Sequence, residues 1–141
     1  TFKTAFSFSE HTYKKWDLGT AAFPGAPSGT QLEGNDIERA PRTTGNVSID
    51  YHPEFFKGAN VELEMSHVGR YEVDSANTAE YGGHNIFNLR TAIPVNENLN
   101  LYARVMNLTD RRHSVSTSSS SSTAFRPGVP RSLCVGFELT Y

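Results

Sequence analysis

A single cysteine, Cys134, in 141 residues excludes an internal disulfide framework and any cysteine-rich zinc site. An excess of one charge sign is also missing. The 13 basic and 15 acidic residues leave a formal net charge of -2, which removes the electrostatic footprint of a nucleic-acid binder, so no nucleic-acid partner is expected. No apolar run approaches the roughly 18 residues that a membrane-spanning helix needs, an absence that leaves a membrane β-barrel open because its strands are only half apolar. The chain starts at Thr1 with neither a charged n-region nor an apolar h-region, and the expectation is that any export signal has been removed or lies upstream. Catalytic signatures are absent too: the sequence has no HExxH, no glycine-rich phosphate loop and no GxSxG. Neither an enzyme nor a resident cofactor is expected.

What the chain does have is alternation. Its 37% hydrophobic and 11% aromatic residues suffice for one folded domain, and they recur with period two in about six segments separated by Gly, Pro, Asn, Asp and Ser. Residues Phe2 to Tyr13 set Phe2, Phe6 and Phe8 against Lys3, Ser7, Ser9 and His11. Thr43 to His52 sets Val47, Ile49 and Tyr51 against Asn46, Ser48 and Asp50. Val61 to Tyr71 alternates most cleanly, with Val61, Leu63 and Met65 opposite Glu62, Glu64, Ser66 and Arg70. His84 to Ile93 offers Phe87, Leu89 and Ile93 on one face and Asn88 and Arg90 on the other. Leu99 to Leu108 opposes Leu99, Leu101, Ala103 and Val105 to Asn100, Tyr102, Arg104 and Met106. The final segment carries Leu133, Val135, Phe137, Leu139 and Tyr141 on one face and Ser132, Cys134, Gly136, Glu138 and Thr140 on the other.

The connections alternate in length. Long loops at Lys15 to Pro41 and Thr109 to Pro130, and a medium one at Glu72 to Gly83, trade places with short turns at Pro53 to Gly58 and Pro94 to Asn98. The serine tract Ser118 to Ser122 is expected to be a mobile solvent loop. This asymmetry is that of an antiparallel up-and-down transmembrane β-barrel, with short turns on the periplasmic side and long loops outside. It puts the C-terminus on the periplasmic side. About six strands cannot close a single-chain barrel, whose smallest versions have eight, and an open sheet edge is not tolerated in lipid. The segment is therefore expected to be part of a larger barrel.

The run Val105-Met106-Asn107-Leu108-Thr109-Asp110-Arg111-Arg112, then Pro127-Gly128-Val129-Pro130-Arg131, then an amphipathic strand ending in an aromatic, resembles the C-terminal end of TonB-dependent outer-membrane receptors. Glu38-Arg39-Ala40-Pro41-Arg42 before a strand and Gly58 to Leu63 after a turn are similar to the same barrel. Asn107, Leu108, Asp110, Pro127, Gly128, Pro130 and Arg131 carry the motif, while His113 stands where the family often has an aromatic and Tyr141 replaces its more usual phenylalanine. The resemblance implies that residues 1–141 are the C-terminal strands of a 22-stranded barrel, with the plug and earlier strands absent from them. It also implies import of a ferric siderophore or similar scarce metal chelate across the outer membrane of a Gram-negative bacterium. The partners so implied are outer-membrane lipid, the outer-membrane insertion machinery and the TonB complex, the last reached through an N-terminal part.

Individual residues follow from these expectations. Leu133, Val135, Phe137, Leu139 and Tyr141 form a strand that the insertion machinery could capture by strand addition, against the plainer reading of an ordinary amphipathic strand. Asp50, Glu62, Glu64, Arg90, Arg104 and Glu138 form a lumenal charge ladder, with Glu64 expected opposite Arg90 in a hairpin centred near Asn77. Such polar lumens are routine, and contact with plug or cargo is the sharper alternative. Tyr13, Trp16, Tyr51, Tyr71 and Tyr81 are candidates for an aromatic girdle at the lipid headgroups. His11, His52, His67, His84 and His113 show no metal-ligand spacing, Glu62 and Glu64 lie on one strand face and not across a cleft as a glycosidase pair would, and Cys134 has no histidine partner in sequence. Asn46-Val47-Ser48 and Asn107-Leu108-Thr109 match glycosylation acceptors but fall in or at the ends of strands. The competing class is a soluble all-β binding module, a sandwich whose apolar faces pack together into a dry core.

Overall fold

The period-two segments form strands that pair into one sheet. The computed structural model describes residues 1–14, 32–118 and 124–141. In them the strands are β1 Phe2–Phe8, β2 Thr43–Tyr51, β3 Asn60–Val68, β4 Tyr71–Glu72, β5 Glu80–Tyr81, β6 His84–Asn96, β7 Leu99–Met106, β8 Ser114–Ser118, β9 Ala124–Pro127 and β10 Ser132–Leu139. The six longest-paired strands build one antiparallel sheet in the order β1, β2, β3, β6, β7, β10, an up-and-down meander. The short strands pair separately as β4 with β5 and β8 with β9. No helix occurs among the described residues.

Register decides which side chains share a face, because a one-residue slip would invert every strand. The pairs Phe2↔Ile49, Ile49↔Leu63, Leu63↔Leu89, Leu89↔Val105 and Val105↔Leu133 align one apolar row across all six strands. Rows beside it carry Tyr51, Val61, Thr91, Ala103 and Val135, then Ile93, Leu101 and Phe137. This face is bare. Phe2 is 64% exposed, Leu133 69%, Val135 68% and Phe137 68%, while the buried hydrophobics among the described residues are Leu32, Ala59 and Val73. A sandwich would need a second sheet over that face, and the two small sheets supply none. Nine residues, the length of β2 and of β3, at about 3.3 Å each and tilted by ~40° reach roughly 23 Å, close to the height of a barrel's apolar band.

Several boundaries differ from the sequence expectation. The first strand ends at Phe8, not Tyr13; beyond it Thr12 bridges Asp36, and the amides of Tyr13 and Ile37 donate to Asn35 and His11 carbonyls. Thus the first long loop begins by folding back on its own far side. β10 stops at Leu139 and leaves Tyr141 fully exposed past the strand, because the Thr140 amide turns to the Asn98 carbonyl at the tight end. β6 runs on to Asn96 through a bulge at Pro94, the sort of irregularity that tolerates a proline lacking an amide donor. The loop Thr109 to Pro130 holds the β8–β9 hairpin, so Ser118 belongs to a strand, while Ser119 to Ser122 lie outside the described residues.

Gly45 has a steric role on the apolar face. It faces Phe6 in the ladder, and a Cβ there would run into the Phe6 ring, which lies across the bare glycine. Gly45→Val in the intact protein is expected to displace that ring and lower the unfolding free energy by about 1–3 kcal/mol in urea titrations. Gly82→Ala, where a Cβ meets open space, should leave the midpoint unchanged.

Candidate functional site

Opposite the apolar face the ladder collects charge. Asp50 pairs in register with Glu62, Glu62 with Arg90, Arg90 with Arg104, and Arg104 with Cys134. The expected partner of Arg90 is thereby corrected: Glu62 lies directly opposite, and Glu64 reaches the same guanidinium on the diagonal, at 3.3 Å from Nη2 against 3.5 Å for Glu62 at Nη1. The register is offset by two residues because the hairpin turns one residue earlier than Asn77. Asn46 Nδ2 donates to Glu64 Oε1 at 2.9 Å, and Asp50 accepts from Asn60 Nδ2 at 3.4 Å and lies 3.6 Å from His52 Nε2. Two acids hold Arg90, whereas Arg104 beside it has no carboxylate partner among the described residues. Glu138, opposite Asn100, is also unpaired there. On the same face Tyr102 lies over Gly136, where a Cβ would strike its ring.

The loop end is built as a second layer. The segment from Leu32 docks on the β4–β5 hairpin through reciprocal bonds: the Asp36 amide donates to Asn77 Oδ1 at 2.7 Å, and Asn77 Nδ2 donates to the Asp36 carbonyl at 3.0 Å. Asn35 Nδ2 adds a bond to the Ser75 carbonyl, and the Arg39 amide one to the Glu72 carbonyl. Leu32 and Val73 are buried in this layer. Asn77 sits at φ 55°, a left-handed conformation that asparagine tolerates, and Asp74 closes the turn by accepting from the Thr78 amide and hydroxyl. The Asp-x-x-Asn-Thr composition is the signal by which this docking could have been found.

Aromatics gather beside it. Tyr81 stacks on Tyr71 at 5.1 Å and lies 6.0 Å from Phe125; its hydroxyl accepts from the Ser114 amide and is 2.9 Å from His84 Nδ1. His113 stacks on His84 at 4.8 Å and covers Gly128, so the imidazole fills the place of an aromatic ring. Of the residues expected at a headgroup girdle, Tyr71 and Tyr81 are thus committed to the loop layer. Tyr13 donates its hydroxyl to Glu38 there, Trp16 lies outside the described residues, and Tyr51 stands exposed at the end of β2.

The motif after β7 works as a clasp. Asn107, 2% exposed and at φ 51°, donates from Nδ2 to the carbonyls of Arg111 and Val129 at 2.9 and 3.0 Å and accepts at Oδ1 from the Arg111 amide at 2.8 Å. Its own amide bonds Asn88 Oδ1, and the Leu108 amide bonds the Phe87 carbonyl, so the turn is tied back to β6. Asp110, also at positive φ, accepts from the Arg131 amide at 2.9 Å. Asn107 and Asp110 therefore hold the segment containing Pro127, Gly128, Pro130 and Arg131, and with it the start of β10. Only an asparagine offers two donors and an acceptor in this space at a left-handed backbone. Leu133, Val135, Phe137 and Leu139 then follow in β10 with their side chains exposed.

Two outcomes follow from this geometry. Asn107→Ala strands buried backbone groups on both sides of the clasp and is expected to cost the intact protein about 2–4 kcal/mol in urea unfolding. Burial pushes the Glu72 carboxyl above its ordinary range, helped by Glu80, Asp36 and Asp74 and opposed by Arg70. A carboxyl raised in the folded layer favours docking below its unfolded pKa and loses that contribution as pH rises through the folded one. Protection of the Arg39 amide against hydrogen exchange, corrected for intrinsic rates, is thus expected to fall as pH rises through the range above 4.5, the ordinary carboxyl value. Glu72→Gln should flatten that profile.

Comparison with known proteins gives the fold a lineage. The family model described as TonB dependent receptor-like, beta-barrel matches residues 2–108. No curated protein matches the sequence. Among solved structures, the chain is similar to the ferric-catecholate import receptor Fiu from Escherichia coli K12, with a TM-score of 0.72 and 17% identity over 98% of this chain and 18% of that one. It is similar also to the siderophore receptor PiuA from Acinetobacter baumannii, with a TM-score of 0.70 and 19% identity over 83% of this chain and 17% of that one. The ferric yersiniabactin uptake receptor FyuA from Yersinia pestis gives 0.65 and 20% identity over 77% and 17%. The chain therefore spans under a fifth of the length of these structures. With its six-stranded meander, one face apolar and the other charged, and the family model covering most of its residues, the chain belongs to the TonB-dependent receptor β-barrel family.

Proposed function

We propose that residues 1–141 are the closing strands of a 22-stranded outer-membrane barrel that takes up a ferric siderophore or similar metal chelate, driven through TonB by way of a plug that these residues do not include. The observation that carries this reading is the apolar row from Phe2 to Leu133 across six strands, exposed or half-buried throughout and covered by no second sheet, with the Asp50, Glu62, Glu64, Arg90, Arg104 and Glu138 face behind it. An apolar face of that extent suits lipid, and a charged one suits a water-filled lumen. The cargo class rests on the solved relatives, described as receptors for siderophores, ferric catecholates and ferric yersiniabactin.

In this reading the tight turns and the C-terminus face the periplasm, and the docked loop layer faces outward, where it would help close over cargo. Arg104, with no carboxylate neighbour among the described residues, is the lumenal group best suited to an anionic plug side chain or chelate. Leu133, Val135, Phe137, Leu139 and Tyr141 would offer the insertion machinery an unpaired edge beside β7. Lipid is the partner of the apolar face.

Two measurements test the proposal. In washed outer membranes the native polypeptide should run as a heat-modifiable band several times larger than 15.6 kDa, and loss of its gene should lower uptake of radiolabelled ferric siderophore. A soluble band near that mass would sink the reading. Leu101→Arg or Val135→Arg in the intact receptor should cost about 2–4 kcal/mol near the bilayer midplane, measured by unfolding from vesicles; full stability of both variants would count against lipid at this face.

A further inference from the structure

The apolar face does not end abruptly. Above Met65 and Phe87 the next row in register is Phe6, Gly45, His67 and Asn85, so aliphatic side chains give way to polar ones toward the loop end. His67 is held by both ring nitrogens, Nδ1 at 2.6 Å from Asn85 Oδ1 and Nε2 at 3.1 Å from Thr43 Oγ1. Behind this row opens a pocket of about 410 Å³, lined by His67, Asn85, Phe87, Thr109 and Arg111 and backed by the glycine pair before β6. Phe87 forms its apolar floor, and Arg111 is its full cation.

Arg111 is set up as a recognition group. Its backbone is held on both sides by Asn107, the amide donating to Oδ1 at 2.8 Å and the carbonyl accepting from Nδ2 at 2.9 Å. Its guanidinium has no carboxylate partner among the described residues, whereas Arg42 meets Asp36 at 2.7 Å and Arg70 meets Glu80 at 3.4 Å; Arg39, Arg112, Arg126 and Arg131 are also without one, and of these unpaired arginines Arg111 is the one that lines the pocket. A cation on a fixed base, at the polar rim of an apolar surface, suits a ligand that is anionic at one end and hydrocarbon at the other.

We propose that this pocket binds the phosphorylated headgroup of an outer-leaflet lipid, with phosphate oxygens on Arg111, a further hydrogen bond from the Thr109 hydroxyl, and an acyl chain lying down over Phe87 and Met65. The continuity of the pocket with the apolar face selects a lipid over free phosphate, since the same floor gives an inorganic anion nothing. The inference rests on lipid lying against that face, as proposed above.

The test uses the full-length receptor, stripped of lipid in detergent and titrated by native mass spectrometry with bisphosphorylated lipid A, with millimolar inorganic phosphate as competitor. The expected result is binding that inorganic phosphate does not displace and that Arg111→Gln weakens about tenfold, the loss of one charge-assisted contact. Arg112→Gln, next in sequence but not lining the pocket, should bind as the parent does. Thr109→Glu, which adds a like charge to the phosphate while leaving Asn107 in place, provides a second route to the same loss should Arg111→Gln fail to fold. Equal binding by parent and either folded pocket variant would overturn the proposal, and so would displacement by inorganic phosphate, which would mark a free-anion site. A heat-modifiable band in outer membranes together with unchanged lipid binding in the variants would reject the pocket while leaving the barrel reading intact.

Discussion

Everything in this molecule depends on the antiparallel ladder holding one register across six strands. A backbone beside hydrocarbon has no water to bond, so each amide and carbonyl must find a partner in the neighbouring strand. The same pairing sorts side chains: with Phe2 opposite Ile49 and the row continuing to Leu133, every residue two positions away falls on the same face. The charged row from Asp50 to Arg104 is thus a consequence of where the apolar row sits. Neither face could be moved without the other.

The two ends of the sheet solve different problems. At the tight end the chain reverses within a few residues, and Thr140 turns to Asn98 to finish the last strand. At the other end, long connections would be costly to order unless something tied them down. Asparagine side chains do this, Asn77 pinning the first loop to the β4–β5 hairpin and Asn107 pinning the start of β10 to β6 and β7. Both sit at positive φ, where their amides can act as extra backbone. The loop layer is therefore a bonded structure with its own small core at Leu32 and Val73.

Electrostatics divides along the same line. Glu62 and Glu64 converge on Arg90, a contact that is half exposed and worth little for stability, yet it leaves Arg104 in the adjacent register position uncompensated. Arg111 is likewise left over at the outer rim. An uncompensated cation with its backbone or its register fixed is where an external anion gains most, and here one lies on the charged face of the sheet and one beside the pocket at the loop end.

How much of this was legible beforehand follows from what kind of information each feature needs. The six strands, their faces and the alternation of long and short connections are written in period-two patterning, and a pattern such as Val61-Glu62-Leu63-Glu64-Met65 survives any detail of pairing. The ends of strands are not, because Ser9 to Thr12 are polar throughout and carry no local mark of where the strand stops, which the return of Asp36 to Thr12 decides. The exact partner of Arg90 was not legible either, since a turn one residue earlier moves the register by two while preserving every face. Asn107, Asp110, Pro127 and Arg131 could be picked out as a spaced motif, but not as a clasp, because the bonds that make them one join residues about 20 positions apart. The sequence by itself determined the strands and their two faces, since alternation is a local property. Only the tertiary structure decided the register, the docked loop layer and the pocket beside Arg111, since each depends on distant segments meeting at hydrogen-bond distance.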